Sequence, residues 1–297
     1  MSEAPLIAGI ELGGTKCIAI LASGPDAIHE RVELPTTRPE ETLSALESVV
    51  DRWTGFAALG IASFGPVAVD RSSGEYGNIT STPKPGWANT DVGRRLALRY
   101  SVPTAFNTDV VGAALGEGRW GAARGLADFA YVTVGTGVGV GLIAHGEPVE
   151  GLTHAELGHI RPVRMTGDDW TGSCPFHGAC VEGLAAGPAI AARTGIKGPE
   201  LPADHPAWES VAHTLAQMLH TLVLTGVPRR IVMGGGVIMG NQFLFPRIRA
   251  ALKRSLNGYI AIAEVEATDT FVVPAALGSN AGPLGAVVLG QQALEAR

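Results

Sequence analysis

Two cysteines and a histidine occur within seven residues in the segment Cys174-Pro-Phe-His177-Gly-Ala-Cys180. Thiolate and imidazole groups with two residues between neighbours are the usual ligands of a tetrahedral zinc ion. Three histidines upstream could supply the fourth ligand: His159, which we prefer, and behind it His154 and His145. The spacing therefore predicts a closed, structural zinc site. Two free thiols beside an unrelated histidine are the alternative interpretation.

Three short glycine-rich segments, each at the end of an apolar run, could bind phosphate through their backbone N–H groups. They are Gly13-Gly14-Thr15-Lys16, Gly135-Thr136-Gly137 and Gly234-Gly235-Gly236. One such segment alone is typical of an ordinary hairpin or strand end, whereas three together favour a nucleotide site. No Gly-Lys dipeptide occurs, which excludes a Walker A loop. The second segment continues into a strand where a Rossmann fingerprint requires a helix.

Two acidic residues occupy positions where a carboxylate could take part in chemistry. Asp109, in Asn107-Thr-Asp109, lies between a predicted strand and a predicted helix, where open α/β sheets bind ligands. It could be a general base, and it could equally be the helix N-cap. Glu11, at the tip of the first strand, could hold a metal-bound water near phosphates or could be a solvated strand end.

The elements that must position these residues alternate between strand and helix, which predicts an α/β fold. Two units of strand, glycine turn and strand, at 6–21 and 129–144, repeat one design and indicate two lobes. Periodicity predicts helices at 39–53, 91–100, 109–120, 206–224 and 241–256, and short apolar runs predict strands at 57–63, 104–107 and 230–233. The stretch 146–178 has no clear period, so something other than apolar burial should order it.

The composition excludes several classes of partner. The 297 residues carry a net charge of −6, and a nucleic-acid-binding surface would need a basic excess. Three cysteines are too few for a disulfide framework in a chain of this length, which indicates a reducing compartment. Residues 1–12 lack the basic flank of a signal peptide, and no apolar run of about 18 residues occurs. We therefore expect a cytoplasmic protein that binds neither nucleic acid nor membrane.

Taken together, the motifs resemble those of the ROK sugar kinases, and within them the bacterial fructokinases, nearly from end to end. Ile10-Glu-Leu-Gly-Gly-Thr-Lys16 is similar to the family's first phosphate loop, Val134-Gly-Thr-Gly-Val-Gly139 to its second and Met233-Gly-Gly-Gly-Val237 to its adenosine loop. Gly151-Leu-Thr-His-Ala-Glu-Leu-Gly-His159, with the two cysteines, is similar to its zinc-centred signature.

The resemblance implies a two-lobed α/β fold of the actin-like ATPase class, related to hexokinase and ribonuclease H, with a central cleft. A sugar-side lobe would comprise 1–120 with the C-terminal helix 282–297 packed back on it. The lobe 121–281 would carry the zinc loop and the nucleotide site. A homodimer is also implied.

The resemblance further implies roles for single residues. Asp109 would be the general base, and the sugar would be bound by Asn107, Gly65, Lys84, Glu156, His159 and Glu182. ATP, the co-substrate, would be bound by Gly13, Gly14, Thr15, Lys16, Thr136, Gly137, Pro188, Gly234, Gly235 and Gly236. His159 would join Cys174, His177 and Cys180 around a structural Zn²⁺, and Mg²⁺ would accompany ATP.

The segment Ile79-Thr-Ser-Thr-Pro-Lys-Pro-Gly-Trp87 resembles the fructokinase version of the sugar loop, in which Lys84 replaces an Asn of glucokinase-like members. It is the main reason to expect ATP-dependent phosphorylation of fructose, at the 6-hydroxyl. A solvated Lys84 and a core Trp87 are the alternative. Glu11 replaces the Asp of the wider family, which suits the fructokinase branch. Val111 stands where an Asn usually follows the catalytic Asp, so substrate choice is less constrained than reaction type.

Three other functions share parts of this pattern. A kinase for glucose, mannose or an N-acetyl hexosamine would share every loop, and that alternative stays open. A sugar-sensing regulator of the same family would carry an N-terminal DNA-binding module, and here the first phosphate loop begins at Gly13. A plain binding module would not need an acid at Asp109.

Overall fold

The computed structural model describes residues 4–296, which divide into two compact units. Of these residues, the first unit contains those up to Gly125, the segment Pro148–His154 and those from Ser279 onward. The second unit contains Leu126–Glu147 and Ala155–Gly278. The aperiodic stretch of the sequence therefore contributes to both units.

A five-stranded sheet forms the centre of each unit. The strands up to Gly125 are β1 (Ile7–Leu12), β2 (Lys16–Gly24), β3 (Ala27–Pro35), β4 (Ala58–Ser63), β5 (Asn78–Ile79), β6 (Thr90–Asp91) and β7 (Thr104–Thr108). The strands after it are β8 (Phe129–Val134), β9 (Val138–Ala144), β10 (Glu147–Pro148), β11 (Ile231–Gly234) and β12 (Val272–Pro274). The two short strands β5 and β6 pair with each other in a separate ribbon.

Helices connect the strands. They are α1 (Pro39–Val50), α2 (Gly93–Tyr100), α3 (Asp109–Trp120), α4 (Val181–Ala185), α5 (Gly187–Thr194), α6 (Ala207–Gly226), α7 (Gly236–Gly240), α8 (Leu244–Leu256), α9 (Ala263–Glu266), α10 (Thr268–Phe271) and α11 (Ala281–Glu295). Single 3₁₀ turns occur at Leu157–His159, Gly198–Glu200 and Gly278–Asn280. Within residues 4–296, none of these helices combines the length and the apolar character that crossing a bilayer requires.

The two sheets have the same strand order. The first is β3-β2-β1-β4-β7 and the second is β10-β9-β8-β11-β12. In each, the glycine hairpin is antiparallel, and the strands added beyond it run parallel to its first strand. The sequence pattern of two hairpins of one design is therefore confirmed, and so is the predicted α/β class.

Most predicted elements are present, with shifts at their ends. The helix predicted at 91–100 begins at Gly93 because Asp91 lies in β6, where its carboxylate accepts the N–H groups of Arg94 and Arg95 at 3.0 and 3.3 Å. The helix predicted from 241 begins at Leu244, since the separate helix α7 follows the third glycine turn. In the aperiodic stretch 146–178, β10 and one 3₁₀ turn are the regular elements.

Close backbone approach lets α11 pack on the sheet and on α3 in the first unit. A Cβ at Gly60 of β4 would overlap the carbonyl oxygen of Ala286, and a Cβ at Gly285 would overlap the carbonyl group of Gly112 in α3. Glycine is needed at both positions because any side chain would push the helix away from its neighbours. This packing holds α3, which begins with Asp109, firmly against β4 and β7.

Candidate active site

The first glycine turn joins β1 to β2, and three of its carbonyl oxygens accept hydrogen bonds. The oxygens of Gly13, Gly14 and Thr15 accept hydrogen bonds from Thr36 Oγ1 at 2.7 Å, Lys84 Nζ at 2.6 Å and Thr36 N at 2.9 Å, respectively. The N–H groups of Gly14 and Thr15 have no acceptor within residues 4–296. Two backbone donors are therefore available for an anion, as a phosphate-binding turn requires.

The two lysines predicted for this region are placed differently. Lys16, predicted to bind ATP, begins β2, and its Nζ lies 2.9 Å from a carboxylate oxygen of Glu33 on β3. Both side chains of that ion pair are about half exposed, at 52% and 45%. Lys84, predicted to bind sugar, is only partly exposed and directs its ammonium group to the carbonyl of Gly14.

Asp109 is the first residue of α3, and the helix is capped by the residue before it. Thr108 Oγ1 accepts the N–H of Val111 at 3.1 Å, which is the bond that defines an N-cap. The alternative interpretation of Asp109 as the cap is therefore wrong. Its Oδ1 accepts the adjacent N–H of Val110 at 2.9 Å. Burial raises the pKa of the Asp109 carboxyl to about 6.

Glu11 lies near the end of β1, where the charge of Asp109 affects its pKa. Burial raises the pKa of Glu11 to about 7, and the negative charge of Asp109 adds to the increase. Helix α11 lies against the side chain, since a Cβ at Gly282 would overlap the Glu11 carboxylate. The interpretation of Glu11 as a solvated strand end is therefore wrong. The charge of Asp109 therefore makes ionisation of Glu11 more costly, and a nearby cation would reduce that cost.

Asn107, at the end of β7, is held through both ends of its side-chain amide. Its Nδ2 donates to Glu150 Oε1 at 2.6 Å, and its Oδ1 accepts the N–H of Thr108 at 2.7 Å. Glu150 belongs to none of the sequence motifs. It lies in the aperiodic stretch 146–178, where the sequence does not distinguish it from other exposed acidic residues. The fold reveals it as the residue that orients the Asn107 amide.

His154 and His145, the two other candidates for the fourth zinc ligand, have contacts of their own. His154 is buried in the first unit, where its Nε2 accepts the N–H of Val67 at 3.1 Å, so its proton lies on Nδ1. A Cβ at Gly65 would lie 3.4 Å from that Nε2, which places the predicted sugar-binding Gly65 beside the imidazole. His145 is exposed and lies 3.8 Å from Asp128. The His154 imidazole therefore contacts Val67 and the His145 imidazole lies beside Asp128, and neither residue belongs to the group of possible metal ligands that contains the cysteines.

Four side chains of the second unit converge where the sequence predicts zinc. The ligand atoms of His159, Cys174, His177 and Cys180 all lie within 4.8 Å of one another. His159 Nδ1 is 3.8 Å from Cys174 Sγ and 3.6 Å from Cys180 Sγ, and His177 Nδ1 is 3.8 Å from Cys174 Sγ. Ligand atoms on a tetrahedral zinc with bonds of about 2.0–2.3 Å lie about 3.3–3.8 Å apart. The donor set fits such an ion, and the interpretation of the histidine as unrelated to the thiols is wrong.

The second glycine turn is connected to this cluster through the short helix α4. Cys180 caps α4, because its Sγ accepts the N–H of Gly183 at 3.4 Å. Glu182, in the first turn of α4, accepts the N–H of Val138 at 3.1 Å through Oε2, immediately after the Gly135-Thr136-Gly137 turn. Glu156, the other predicted acid of this loop, is exposed, and its carbonyl accepts the N–H of His159 at 3.0 Å.

The third glycine turn and the start of α5 lie beside the second turn. The N–H of Gly187 donates to the carbonyl of Gly135 at 2.8 Å, which brings Pro188, the next residue, close to the turn. A Cβ at Gly135 would lie 3.7 Å from the N atom of Gly236. Gly235 has a φ of +87°, and a Cβ there would overlap the backbone of Val134, so the position requires glycine. The predicted nucleotide residues of the second unit are thus neighbours.

The family model of the ROK family matches residues 7–293, and the chain belongs to that family. A fructokinase from Pediococcus pentosaceus is 41% identical to it over 98% of this chain and 99% of the relative. The predicted membership, including the similarity to fructokinases, is confirmed.

Solved structures of the family have the same fold. A ROK hexokinase from Thermus thermophilus superposes with a TM-score of 0.80 at 27% identity, over 98% of this chain and 100% of that chain. A ROK glucokinase from Streptomyces griseus, in complex with glucose and AMPPNP, gives a TM-score of 0.76 at 25% identity, over 97% and 99%. With the repeated sheet order, these similarities confirm the predicted fold of the actin-like ATPase class. The chain is therefore a sugar kinase by fold and family.

Proposed function

We propose that the protein transfers the terminal phosphoryl group of ATP to the 6-hydroxyl of fructose, giving fructose 6-phosphate and ADP. Fructose is favoured because the fructokinase relative is 41% identical, whereas the hexokinase and glucokinase structures are 27% and 25% identical. The observation that carries the catalytic part of the proposal is the state of Asp109. Because Thr108 is the N-cap of α3, the Asp109 carboxyl does not serve as the cap, and burial raises its pKa to about 6.

Asp109 would act as the general base. A carboxyl with a pKa near 6 is mostly ionised at pH 7 and is a stronger base than an ordinary aspartate, which suits proton transfer from a hydroxyl. The Val110 N–H holds Oδ1, so Oδ2 is the oxygen that would accept the proton. Most of the rate enhancement in phosphoryl transfer comes from positioning and charge neutralisation, with the base supplying a smaller share.

Several residues of the sequence motifs are candidates for binding the sugar. We propose that Asn107, with its amide oriented by Glu150, binds one sugar hydroxyl, and that Gly65 lines the pocket beside His154. Glu156, His159 and Glu182 would provide further acceptors and donors for the hydroxyl groups. The buried Val111 cannot supply the amide that usually follows the catalytic Asp, so the pocket lacks one hydrogen-bonding group.

The phosphates and the adenosine of ATP would be bound by the three glycine turns. The free N–H groups of Gly14 and Thr15 in the first turn support this role, as does the clustering of the second turn, the third turn and Pro188. Mg²⁺ bound with ATP would neutralise negative charge on the phosphates, and Glu11 beside Asp109 is the carboxylate suited to one of its water ligands.

We propose a structural zinc ion held by His159, Cys174, His177 and Cys180. Four protein ligands leave no open position for a substrate, so the ion would stabilise the loop that carries them. The same loop carries Glu156 and leads into α4, which carries Glu182. We also propose a homodimer, which sedimentation velocity would test.

An assay of ADP release against a panel of sugars tests the proposal. Fructose, glucose, mannose, N-acetylglucosamine and N-acetylmannosamine would each be supplied with Mg-ATP, and the product with fructose would be identified by ³¹P NMR. We expect the highest kcat/KM with fructose and a phosphate on the 6-hydroxyl. A higher value with another hexose would identify the alternative kinase activity. Sugar binding without ADP release would indicate a regulator or a binding module.

A further inference from the structure

Lys84, which the family resemblance assigns to sugar binding, places its ammonium group against the first glycine turn. Lys84 Nζ donates to the Gly14 carbonyl at 2.6 Å and to the Thr36 carbonyl at 3.4 Å. Lys16, whose position within the motif suggests a phosphate ligand, instead forms its ion pair with Glu33 on the edge strand. Lys84 therefore contacts the first glycine turn, whereas the ammonium group of Lys16 is paired with Glu33.

The segment that carries Lys84 is held in place by the buried side chain of Trp87. Trp87 is fully buried, its Nε1 donates to the carbonyl of Thr37 at 2.8 Å, and its ring makes an edge contact with Phe64 at a centroid distance of 5.2 Å. Thr36, the neighbour of Thr37, holds the other two carbonyls of the turn. The turn and the lysine are therefore attached to the same segment, and the position of Nζ relative to the turn is well defined.

The charge of Lys84 has no counterion in the described part of the chain. Within residues 4–296, no carboxylate lies within 4.0 Å of its Nζ. A lysine ammonium has three N–H donors, and the two carbonyls use two of them. One donor and a full positive charge therefore remain on the ammonium group. An ammonium group with a spare donor and no counterion, attached to a turn that also has N–H groups without acceptors, matches a chain of phosphates better than a neutral sugar.

We propose that Lys84 is the phosphate-binding cation of the first glycine turn, and that it acts on the phosphates that ATP and ADP share and not on the sugar. Its hydrogen bond to Gly14 also fixes the peptide that presents the free N–H of Thr15. The inference rests on the proposed function for the identity of the anion. It replaces the sugar-binding role that the sequence predicts for Lys84.

Kinetics of four variants separate the two roles. Lys84→Met and Lys84→Gln remove the charge, and Gln retains a donor for the Gly14 carbonyl. Lys84→Arg retains both charge and donor. Arg52→Met, which removes an exposed ion pair with Glu30, is the surface control. Each variant is assayed with ATP varied at saturating fructose and with fructose varied at saturating ATP, and ADP binding is measured by calorimetry without sugar.

We expect Lys84→Met and Lys84→Gln to raise KM for ATP and Kd for ADP about 10- to 100-fold, the effect of losing one charge-assisted hydrogen bond. KM for fructose should change less than about 3-fold, Lys84→Arg should recover most of the nucleotide affinity, and Lys16→Met should raise KM for ATP less than Lys84→Met does. A rise in KM for fructose with unchanged ADP affinity would overturn the inference.

The calorimetric measurement separates this inference from the proposed function. If the wild-type protein phosphorylates no sugar of the panel but its ADP affinity depends on Lys84, the inference stands and the proposed function fails. If the wild-type protein is active and Lys84→Gln binds ADP as tightly as the wild type, the inference fails alone. Melting temperatures close to that of the wild type would exclude misfolding of the variants.

Discussion

Glu182 accepts the backbone N–H of Val138 at 3.1 Å, and this bond joins the cysteine cluster to the second glycine turn. Cys180 caps the helix on which Glu182 lies, and the cap depends on the position of the Cys180 sulfur. The α4 helix has only five residues and would not be stable without its cap. The Cys/His cluster therefore supports the second glycine turn through two hydrogen bonds.

Loss of the metal should therefore affect nucleotide binding as well as stability. We expect Cys174→Ser to reduce bound zinc from about one ion per chain to a small fraction, and to lower Tm by roughly 5–10 °C. KM for ATP should rise because α4 no longer fixes Val138. Metal content is measured by atomic emission and Tm by calorimetry. Cys17→Ser, at a buried cysteine outside the cluster, is the control and should retain full zinc content. A metal-free wild-type protein of full stability would contradict the role of the cluster.

Asp109→Asn should separate catalysis from stability. Because the substitution removes the proposed base, kcat should fall about 10²- to 10⁴-fold while both KM values change little. Because burial raises the folded-state pKa of Asp109 from 3.8 to about 6, protonation favours the folded state. That stabilisation is complete below about pH 4 and is lost as the pH rises through 6, where the buried charge destabilises the fold. The Tm of Asp109→Asn relative to that of the wild type should therefore increase from pH 4.5 to pH 8. A variant that keeps most of its kcat would show that Asp109 is not the base.

The pH dependence of the wild-type enzyme should reflect both raised carboxyl groups. With Asp109 near 6 and Glu11 near 7, kcat/KM should fall on the acid side between about pH 7 and pH 6, well above the range of ordinary carboxylates. Glu11→Gln removes one of the two titrations and should move the acid limb to lower pH. An unchanged acid limb in Glu11→Gln would exclude Glu11 from the pH dependence.

Glu150→Ala should weaken sugar binding without removing any residue of the sequence motifs. Loss of the 2.6 Å bond frees the Asn107 amide to rotate, and we expect KM for fructose to rise about 3- to 12-fold with a smaller effect on kcat. Glu150→Gln keeps the Oε1 acceptor and should restore most of the affinity. Glu147→Ala, at an exposed acid of the same stretch, should have no effect.

Much of the fold and the Cys/His cluster can be predicted from the sequence because both depend on local spacing. The C-x₂-H-x₂-C segment identifies three members of the cluster, and apolar periodicity identifies the strands and helices around the glycine turns. Long-range contacts are not encoded in such spacing. The bond from Glu150 to Asn107 spans 43 residues and that from Lys84 to Gly14 spans 70, so neither side chain shows its partner in the local pattern. The cap of α3 is missed for a different reason, since Thr108 and Asp109 are adjacent and both residue types are favoured caps.

Asp168 provides the aperiodic stretch with a second support besides the metal cluster. Its side chain is only 4% exposed and forms ion pairs with Arg164 at 2.9 Å and Arg193 at 3.0 Å, while Trp170 N donates to it at 3.3 Å. Burial acts to raise the pKa of Asp168, but the arginines, chiefly Arg193, outweigh it and hold that pKa below its usual value. Stability from this group is therefore complete above about pH 4 and is lost as the pH falls below it.

Asp168→Asn should consequently destabilise the protein at pH 7 by about 3 kcal/mol, the lower end of the range for breaking a buried ion pair, because both arginines remain partly exposed. Urea unfolding measures the difference, which should shrink as the pH is lowered toward 3. The neighbouring exposed Asp169 offers a matched control, and Asp169→Asn should unfold like the wild type. Zinc content should stay at the wild-type level in Asp168→Asn, because the four cluster ligands do not include Asp168. Equal stability of the two variants would mean that the metal cluster and the surrounding core order this stretch without the ion pairs.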